Sequence, residues 1–464
     1  MITIGLLICH SDNYYAQEYE IPRMYSQELS ILASHHNATI LAYEPVKDGE
    51  QARKARVYFE KNDVDYLMIL CAAFCTGDIM MQFDGWHTPI GVWAAKEPKQ
   101  SGDIQLNAVV SMNMYISIAQ RSFHQKVKAK WFYGSPDQEQ FRKRFQVTLQ
   151  AMHGMRAMRK GIIGILGEVA PTFYNLETDG SVEKGFGLRF LHISMEDMKN
   201  EMDKVSKEEI EVSKNIILAS AKDTTQLPYD SLLQGAKVLS GLCRLVDHYH
   251  IDALAACCWP EFQDEFSIVP CVPFTLLASI KQVPVACEGD IGGAITQLIA
   301  QRISGHIPTL MDVTAIDPVE DELLLWHCGI GSVDLQPAES TRIVAHPMLD
   351  RKNPARIRMG LSYDYTFKPV PVTLLRYSNN HQLFAVDASI KDKQVGFTGT
   401  RGHIGEFMIN GKACHVEDVI DILMGKGIEH HLIICPDHCE QALKEFAQLM
   451  GISFLSMETF QDEV

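Results

Sequence analysis

The 464-residue chain lacks an excess of positive charge and lacks an obvious membrane segment. Lysine and arginine total 42 against 58 acidic residues, so the formal net charge is −16. This balance argues against a nucleic-acid partner and against docking on anionic lipid. The most apolar stretch near the N-terminus, residues 67–75, is far shorter than the ~20 residues that a membrane helix needs. We therefore expect neither a nucleic-acid-binding protein nor a membrane protein.

The N-terminus has no basic flank before its short apolar run, so we expect no signal peptide. The chain contains 12 cysteines. Without an export signal, this number predicts reduced thiols and a cytoplasmic location. Many of the cysteines lie in apolar runs, where cysteine behaves as a small core residue. The sequence also shows no internal repeat, and residues 164–168 lack the G-x-G-x-x-G spacing of a dinucleotide site.

The length exceeds the ~250–300 residues at which single cores stop growing, so we expect two or three domains. Strand and helix patterns alternate over 1–145, which predicts a doubly wound α/β domain with a parallel sheet. A helical pattern at 138–159 leads into a second α/β domain, 146–320, with predicted strands that include 216–220, 253–258 and 283–286. Short β-like segments over 321–464 predict a mainly antiparallel β-barrel, closed by a strand–helix–strand unit.

Five polar residues stand out against this background. Glu288 follows an apolar strand and precedes a helical pattern, at the sheet edge where α/β proteins bind ligands. Asp312 is placed at another predicted strand end, and His327 lies inside an apolar run. His430 and His431 open the predicted strand near the C-terminus.

Two carboxylates and one or two imidazoles suit a divalent cation such as Mn²⁺, Mg²⁺ or Co²⁺. Each residue also has a purely structural explanation. Acids at strand ends often cap helices, and a buried histidine is often only hydrogen-bonded. The candidates are scattered and match no short ligand motif, so spacing alone leaves both interpretations open.

The motifs add a resemblance. Ala-Cys-Glu-Gly-Asp-x-x-Gly-Ala-Ile-Thr, then Met-Asp, Trp-His-Cys-Gly and His-His-Leu occur in that order. They resemble the L-fucose isomerase and L-arabinose isomerase superfamily, which also has two α/β domains and a mainly β C-terminal domain. The resemblance implies that Glu288 and Asp312 bind the metal and act as the catalytic acid/base pair. It implies that His431 is a metal ligand, and that His327 is a further ligand or hydrogen-bonds at the site.

The implied reaction is aldose–ketose isomerisation of a monosaccharide through a cis-enediol, assisted by Mn²⁺ or by Mg²⁺ or Co²⁺. The implied substrate is a sugar like L-fucose or L-arabinose, or one modified at C6 such as sulfoquinovose, as in the sulfoquinovose isomerase branch. The resemblance also implies a homotrimer or homohexamer whose subunits share active sites. A non-catalytic sugar-binding or sensing protein with the same fold is the alternative.

Three further residues are candidates for substrate binding. Trp86 lies in a segment that mixes aromatic and polar residues, although a buried tryptophan would explain it equally well. Arg401 and His403 lie in a glycine-rich segment and would suit an anionic C6 group, although a tight turn explains the glycines. Asp290 either supports a neighbouring ligand or caps the following helix.

Overall fold

The computed structural model describes residues 1–178, 181–225, 227, 229–348, 360–378 and 380–455. The chain divides into two compact units, 1–152 and 153–464. None of the helices in these described residues is long and apolar enough to span a bilayer.

The first unit is a five-stranded parallel sheet in the order β2-β1-β3-β4-β5, with helices between the strands. Its elements are β1 (Ile2–Cys9), α1 (Ile21–Ser34), β2 (Ala38–Ala42), α2 (Gly49–Lys61), β3 (Tyr66–Cys71), α3 (Gly77–Met81), β4 (Ile90–Ala94), α4 (Ala108–Arg121) and β5 (Lys130–Tyr133). β3 and β4 are buried along their whole length, as expected for strands covered on both faces. The long helix α5 (Glu139–Lys160) follows.

The second unit begins with a four-stranded parallel sheet in the order β7-β6-β8-β9. Its elements are β6 (Ile162–Leu166), α6 (Ser181–Phe186), β7 (Arg189–Ile193), α7 (Met195–Asp203), α8 (Lys207–Ala219), α9 (Tyr229–Tyr249), β8 (Ala253–Ala256), α10 (Glu261–Phe266), α11 (Cys271–Lys281), β9 (Val285–Ala286) and α12 (Ile291–Ser304). Single 3₁₀ turns occupy Tyr174–Leu176 and Cys287–Gly289.

The rest of the second unit is built on a barrel. Its elements are β10 (Thr309–Asp317), β11 (Glu322–His327), β12 (Arg342–Val344), β13 (Ser362–Thr366), β14 (Pro371–Ser378), β15 (Gln382–Ile390), β16 (Thr400–Ile409), β17 (Lys412–Ala413), α13 (Val416–Gly425), β18 (His431–Pro436), α14 (Glu440–Met450) and β19 (Ser453–Phe454). β16, β11, β10, β18, β14 and β15 pair antiparallel in that order, and β15 pairs back onto β16. This closure removes the exposed edges of the sheet.

The predicted fold class, two parallel-sheet α/β regions with a mainly antiparallel β-barrel, is confirmed. The domain boundaries at 145/146 and 320/321 stay predictions. Apolar side chains of the second unit form a continuous core that includes Leu239 on α9, Leu325 on β11 and Val372 on β14.

Two local predictions are wrong. Residues 216–220, predicted as a strand, fall at the end of helix α8, because Ser206 and Glu209 cap its first turn reciprocally and start the helix upstream. Asp312 was placed at a strand end, yet β10 continues to Asp317. Beyond Asp312 the strand continues because antiparallel pairing with β11 supplies its backbone hydrogen bonds, whereas the pairing with β18 ends at Asp312.

Candidate active site

Glu288 is positioned by a sharp turn between β9 and α12. Its backbone is left-handed, with φ 64°, and Gly289 follows with φ 71°. A β-carbon at Gly289 would lie 2.4 Å from the Glu168 carbonyl oxygen, so only glycine fits there. The Glu288 carbonyl accepts the Ala170 N–H at 2.9 Å. A glutamate in this disfavoured conformation is held by its surroundings, which is common at functional sites.

Asp312 and His431 come from neighbouring barrel strands. They are directly paired in the register between β10 and β18, so their side chains are close neighbours. The Asp312 side chain is 35% exposed, whereas that of His431 is 1% exposed. The barrel therefore presents a partly open carboxylate beside an enclosed imidazole.

The two nitrogens of His431 meet different groups. Nε2 lies 3.2 Å from Oε2 of Glu288 and 3.7 Å from Oδ1 of Asp312. It has no well-formed hydrogen bond among the described residues, although it is buried. Nδ1 lies 2.9 Å from Oδ2 of Asp290, within hydrogen-bond distance. The structure thus brings together three predicted site residues, Glu288, Asp312 and His431, around one nitrogen atom.

Electrostatics at this ring follow from burial and from the acids. Burial disfavours the charged imidazole, but hydrogen bonding to Asp290 and the adjacent Glu288 raise the pKa of His431 to about 9. Burial opposes ionisation of Glu288 as well, yet His431 and His327 hold the pKa of Glu288 below its usual value. Positive charge is therefore stabilised between these groups.

Asp290 is fully enclosed and fully hydrogen-bonded. Its Oδ1 accepts the Gly293 N–H at 2.8 Å, which caps α12. Arg376 binds both carboxylate oxygens, with Nη1–Oδ2 2.6 Å and Nη2–Oδ1 3.0 Å. The Arg376 Nε atom lies 3.3 Å from Glu429. Asp290 both caps the helix and holds His431, so the two predicted alternatives apply together.

Two glycines make this packing feasible. A β-carbon at Gly292 would lie 2.9 Å from Nη2 of Arg376, and one at Gly293 would lie 2.4 Å from Oδ2 of Asp290. The short segment from Glu288 to Gly293 therefore combines a turn, a cap and room for a buried arginine. These requirements give a structural reason for most of the central motif in the sequence.

His327 is the last residue of β11, and its ring centroid lies 6.0 Å from that of His431. Its Nδ1 accepts the backbone N–H of Cys328 at 2.9 Å. In the neutral ring the proton then resides on Nε2, which is buried without a hydrogen-bond partner among the described residues. This geometry favours a donor role for His327 over a role as metal ligand.

An aromatic wall, formed by Phe173, Trp259 and the ring of His430, lies beside the Glu288 carboxylate. Glu288, His430 and His431 each place a possible ligand atom within 4.8 Å of the other two. His430 contacts Asn175 at 3.0 Å and packs edge-on against Phe173, with ring centroids 5.3 Å apart. Phe173 in turn packs edge-on against Trp259. Sequence reasoning singled out His430 but neither Phe173 nor Trp259, because these two come from separate loops.

Arg401 and His403 have other partners. The Arg401 guanidinium pairs with the buried Asp364, and Nδ1 of His403 lies 3.0 Å from Glu322. Arg401 is aligned with Trp326, which is aligned with Asp312 on the next strand. Arg401 and Asp312 are thus two strand spacings apart, or about 10 Å.

Trp86 belongs to the first unit and is buried. Its Nε1 donates to Oγ1 of Thr88 at 2.7 Å, and its ring packs edge-on against Phe83. These contacts fit the structural explanation, and its role in substrate binding stays a prediction.

Sequence reasoning also missed Arg376 and Glu429. Arg376 lies in the middle of β14, where an arginine among apolar residues was an available signal of a buried ion pair. Glu429 immediately precedes the histidine pair, but no spacing rule links it to Arg376.

Comparison with known proteins gives an activity class. No family model matches the chain. The sulfoquinovose isomerase of Alkalicoccus urumqiensis is 26% identical over 406 residues, which cover 85% of this chain and 86% of that protein. The sulfoquinovose isomerases of Priestia aryabhattai and Priestia megaterium are each 23% identical over 448 residues, covering 94% of this chain and 95% of theirs. The chain is therefore an enzyme, an isomerase that acts on a sugar.

Proposed function

We propose that the chain is a divalent-metal-dependent aldose–ketose isomerase. The observation that carries the proposal is the buried Nε2 of His431, which faces two carboxylates and has no well-formed hydrogen bond in the described structure. Asp290 accepts the Nδ1 proton, so a cation that displaces the Nε2 proton would find the Nε2 lone pair available beside Glu288 and Asp312. A metal-binding histidine usually donates a hydrogen bond from its other ring nitrogen to a carboxylate, which fixes the orientation of the ring.

The donor set fits the cation. Glu288 and Asp312 supply oxygen and His431 supplies nitrogen, a combination that suits Mn²⁺, Mg²⁺ or Co²⁺. The two negative charges would be neutralised by a dication, which relieves their mutual repulsion at a partly buried site. When bound, the ion would polarise the sugar oxygens at C1 and C2.

The residues of the chain would move the proton. In the proposed reaction, Glu288 and Asp312 exchange protons with C1 and C2 of the sugar by way of a cis-enediol. His327 would donate a hydrogen bond from Nε2 to a sugar oxygen. The aromatic wall of Phe173, Trp259 and His430 would cover an apolar face of the sugar.

The relatives guide the choice of substrate. Because all three are sulfoquinovose isomerases, we propose a sugar with an anionic C6 group ahead of L-fucose or L-arabinose. Arg401 stays a candidate for that group, although binding would have to compete with Asp364. The wider fucose and arabinose isomerase superfamily, the shared sites of a trimer or hexamer and a cytoplasmic location stay predictions.

The test is ketose formation from a panel of aldoses that includes 6-sulfo and 6-deoxy sugars. We expect turnover with Mn²⁺, loss after treatment with EDTA and recovery when Mn²⁺ is added back. Activity that persists after complete removal of metal would refute the metal dependence. Running the reaction in D₂O separates the two chemical routes, because proton transfer brings deuterium into the product and a hydride shift does not.

The non-catalytic alternative is not favoured by the comparisons, since the relatives named above are isomerases. It would be supported by binding of a sugar from the panel without any turnover at saturating Mn²⁺.

A further inference from the structure

A second cluster of ligand-type side chains lies outside the proposed catalytic residues. Cys271, Cys328 and His346 each offer one ligand atom, and the three atoms lie within 4.8 Å of one another. All three side chains are buried. We propose that this cluster binds a thiophilic divalent cation of the zinc class.

Three separate segments supply the ligands. Cys271 is the first residue of α11, Cys328 directly follows β11, and His346 follows β12 by two residues. Such convergence of distant segments is typical of ions that stabilise a fold, because one ion then ties several elements together. Here the ion would fix the end of β11, the strand that also carries His327.

The chemistry of the cluster selects the ion. Thiolate sulfur is a soft ligand and imidazole is intermediate, so the set favours Zn²⁺ over Mg²⁺ or Mn²⁺. Two thiolates would neutralise a dication, so this buried site would carry no net charge that needs solvation by water. Binding would release the thiol protons to water, since only thiolates coordinate the metal.

An enclosed hydroxyl gives independent support. Ser362, the first residue of β13, is fully buried, and its Oγ atom has no well-formed hydrogen bond among the described residues. This hydroxyl adjoins the Cys271 thiol. A buried hydroxyl whose hydrogen bonding is incomplete costs up to about 1–3 kcal/mol. An ion in the cluster would give this oxygen a partner, either directly or through a bound water.

The imidazole must change one contact. Nδ1 of His346 accepts the backbone N–H of Met348 at 3.3 Å, which is long for a hydrogen bond. Coordination through the other nitrogen would place the ring proton on Nδ1, so metal binding would replace this contact.

Cobalt provides the test, because thiolate ligands give Co²⁺ an intense near-ultraviolet charge-transfer band that oxygen and nitrogen ligands do not. The full-length protein is stripped of metal under reducing conditions and titrated with Co²⁺. We expect a thiolate band that saturates by two Co²⁺ per chain, because the catalytic site also takes up Co²⁺, and that is lost when Zn²⁺ is added. This titration of the wild-type protein tests the proposed metal site without any variant.

Variants identify the cysteines that produce the thiolate band. C271S and C328S should abolish it, whereas E288Q should keep it, since Glu288 belongs to the other site. C435S is the matched control, a buried cysteine that contacts Ser304 outside the cluster. Absence of a thiolate band in the wild type at saturating Co²⁺ would overturn the proposal, and so would a band that survives in both C271S and C328S.

Discussion

The two sides of the His431 ring are built differently. On the buried side, Asp290, Arg376 and Glu429 form a closed network in which the Arg376 side chain is fully enclosed. On the open side, Glu288 and Asp312 approach Nε2, and among the described residues no arginine pairs with either of them. Asp290 and Glu288 are only two residues apart in the sequence, yet one is saturated with hydrogen bonds and the other faces the site. The same functional group, a carboxylate, thus provides support on one side and proposed chemistry on the other.

This difference teaches how the site separates stability from function. Fully paired buried charges hold one geometry, and breaking such a pair is costly. Carboxylates that are not saturated with hydrogen bonds remain able to bind a ligand or exchange a proton. Variants on the two sides should therefore fail in different ways.

The largest expected effect is on catalysis, at the open side. Glu288→Gln keeps the size of the side chain but removes its charge and its ability to accept a proton. We expect turnover to fall on the order of 10²–10⁴-fold, with little change in the free energy of unfolding. The measurement is ketose formation against Mn²⁺ concentration.

Asp437→Asn is the matched control for Glu288→Gln. Asp437 is also a carboxylate on a left-handed residue, with φ 82°, and asparagine tolerates that conformation. Near-normal turnover of Glu288→Gln at saturating Mn²⁺ would remove Glu288 from the acid/base role.

The next largest effect concerns stability, at the buried side. Arg376→Met removes the guanidinium that pairs with the buried carboxylates of Asp290 and Glu429, and we expect a loss of about 3–5 kcal/mol in the free energy of unfolding. Urea unfolding measures it. Arg302→Met is the control, because Arg302 and Asp252 form a half-exposed pair at 3.4 Å worth about 0–1 kcal/mol. Equal losses of unfolding free energy in the two variants would contradict the expected difference between a buried and an exposed ion pair.

A pH effect should appear in the metal-free protein. The pKa of His431 is raised to about 9 in the folded state, above its unfolded value, so protonated His431 stabilises the fold at low pH. This contribution is complete below pH ~6.5 and is lost as pH rises through 9, on the order of 1–3 kcal/mol. Unfolding curves from pH 6 to 9.5 test it, with His431→Gln as the variant that should lack this decline. A wild-type stability that rises across this range would contradict the assignment.

A smaller effect is expected on metal affinity. Asp290→Asn weakens the support of Nδ1 of His431, and we expect Mn²⁺ to bind roughly 10–100-fold more weakly. Electron paramagnetic resonance of free Mn²⁺ measures this without substrate. Asp334→Asn is the control, since Asp334 contacts His306 in a comparable but more exposed aspartate–histidine pair. Unchanged affinity in Asp290→Asn would show that Asp290 acts as a helix cap alone.

The sequence by itself determined the classes of structure along the chain and several of the residues that meet at the site. Period-two and helical patterns indicated the parallel-sheet regions and the β-rich C-terminal part, because burial imposes these periods on apolar residues. The chemistry of carboxylate and imidazole singled out Glu288, Asp312, His327 and His431.

Only the tertiary structure decided which of these groups face one another. Pairing of β10 with β18 brings Asp312 beside His431, although 119 positions separate them in the sequence. Packing of α12 against β14 also places Arg376 against Asp290, and pairing of β13 with β16 brings Asp364 to Arg401 instead of leaving it open. The run at 216–220 became helix because a cap ten residues upstream had already started one. Strand register and burial depend on the whole chain, so local patterns could not specify these contacts.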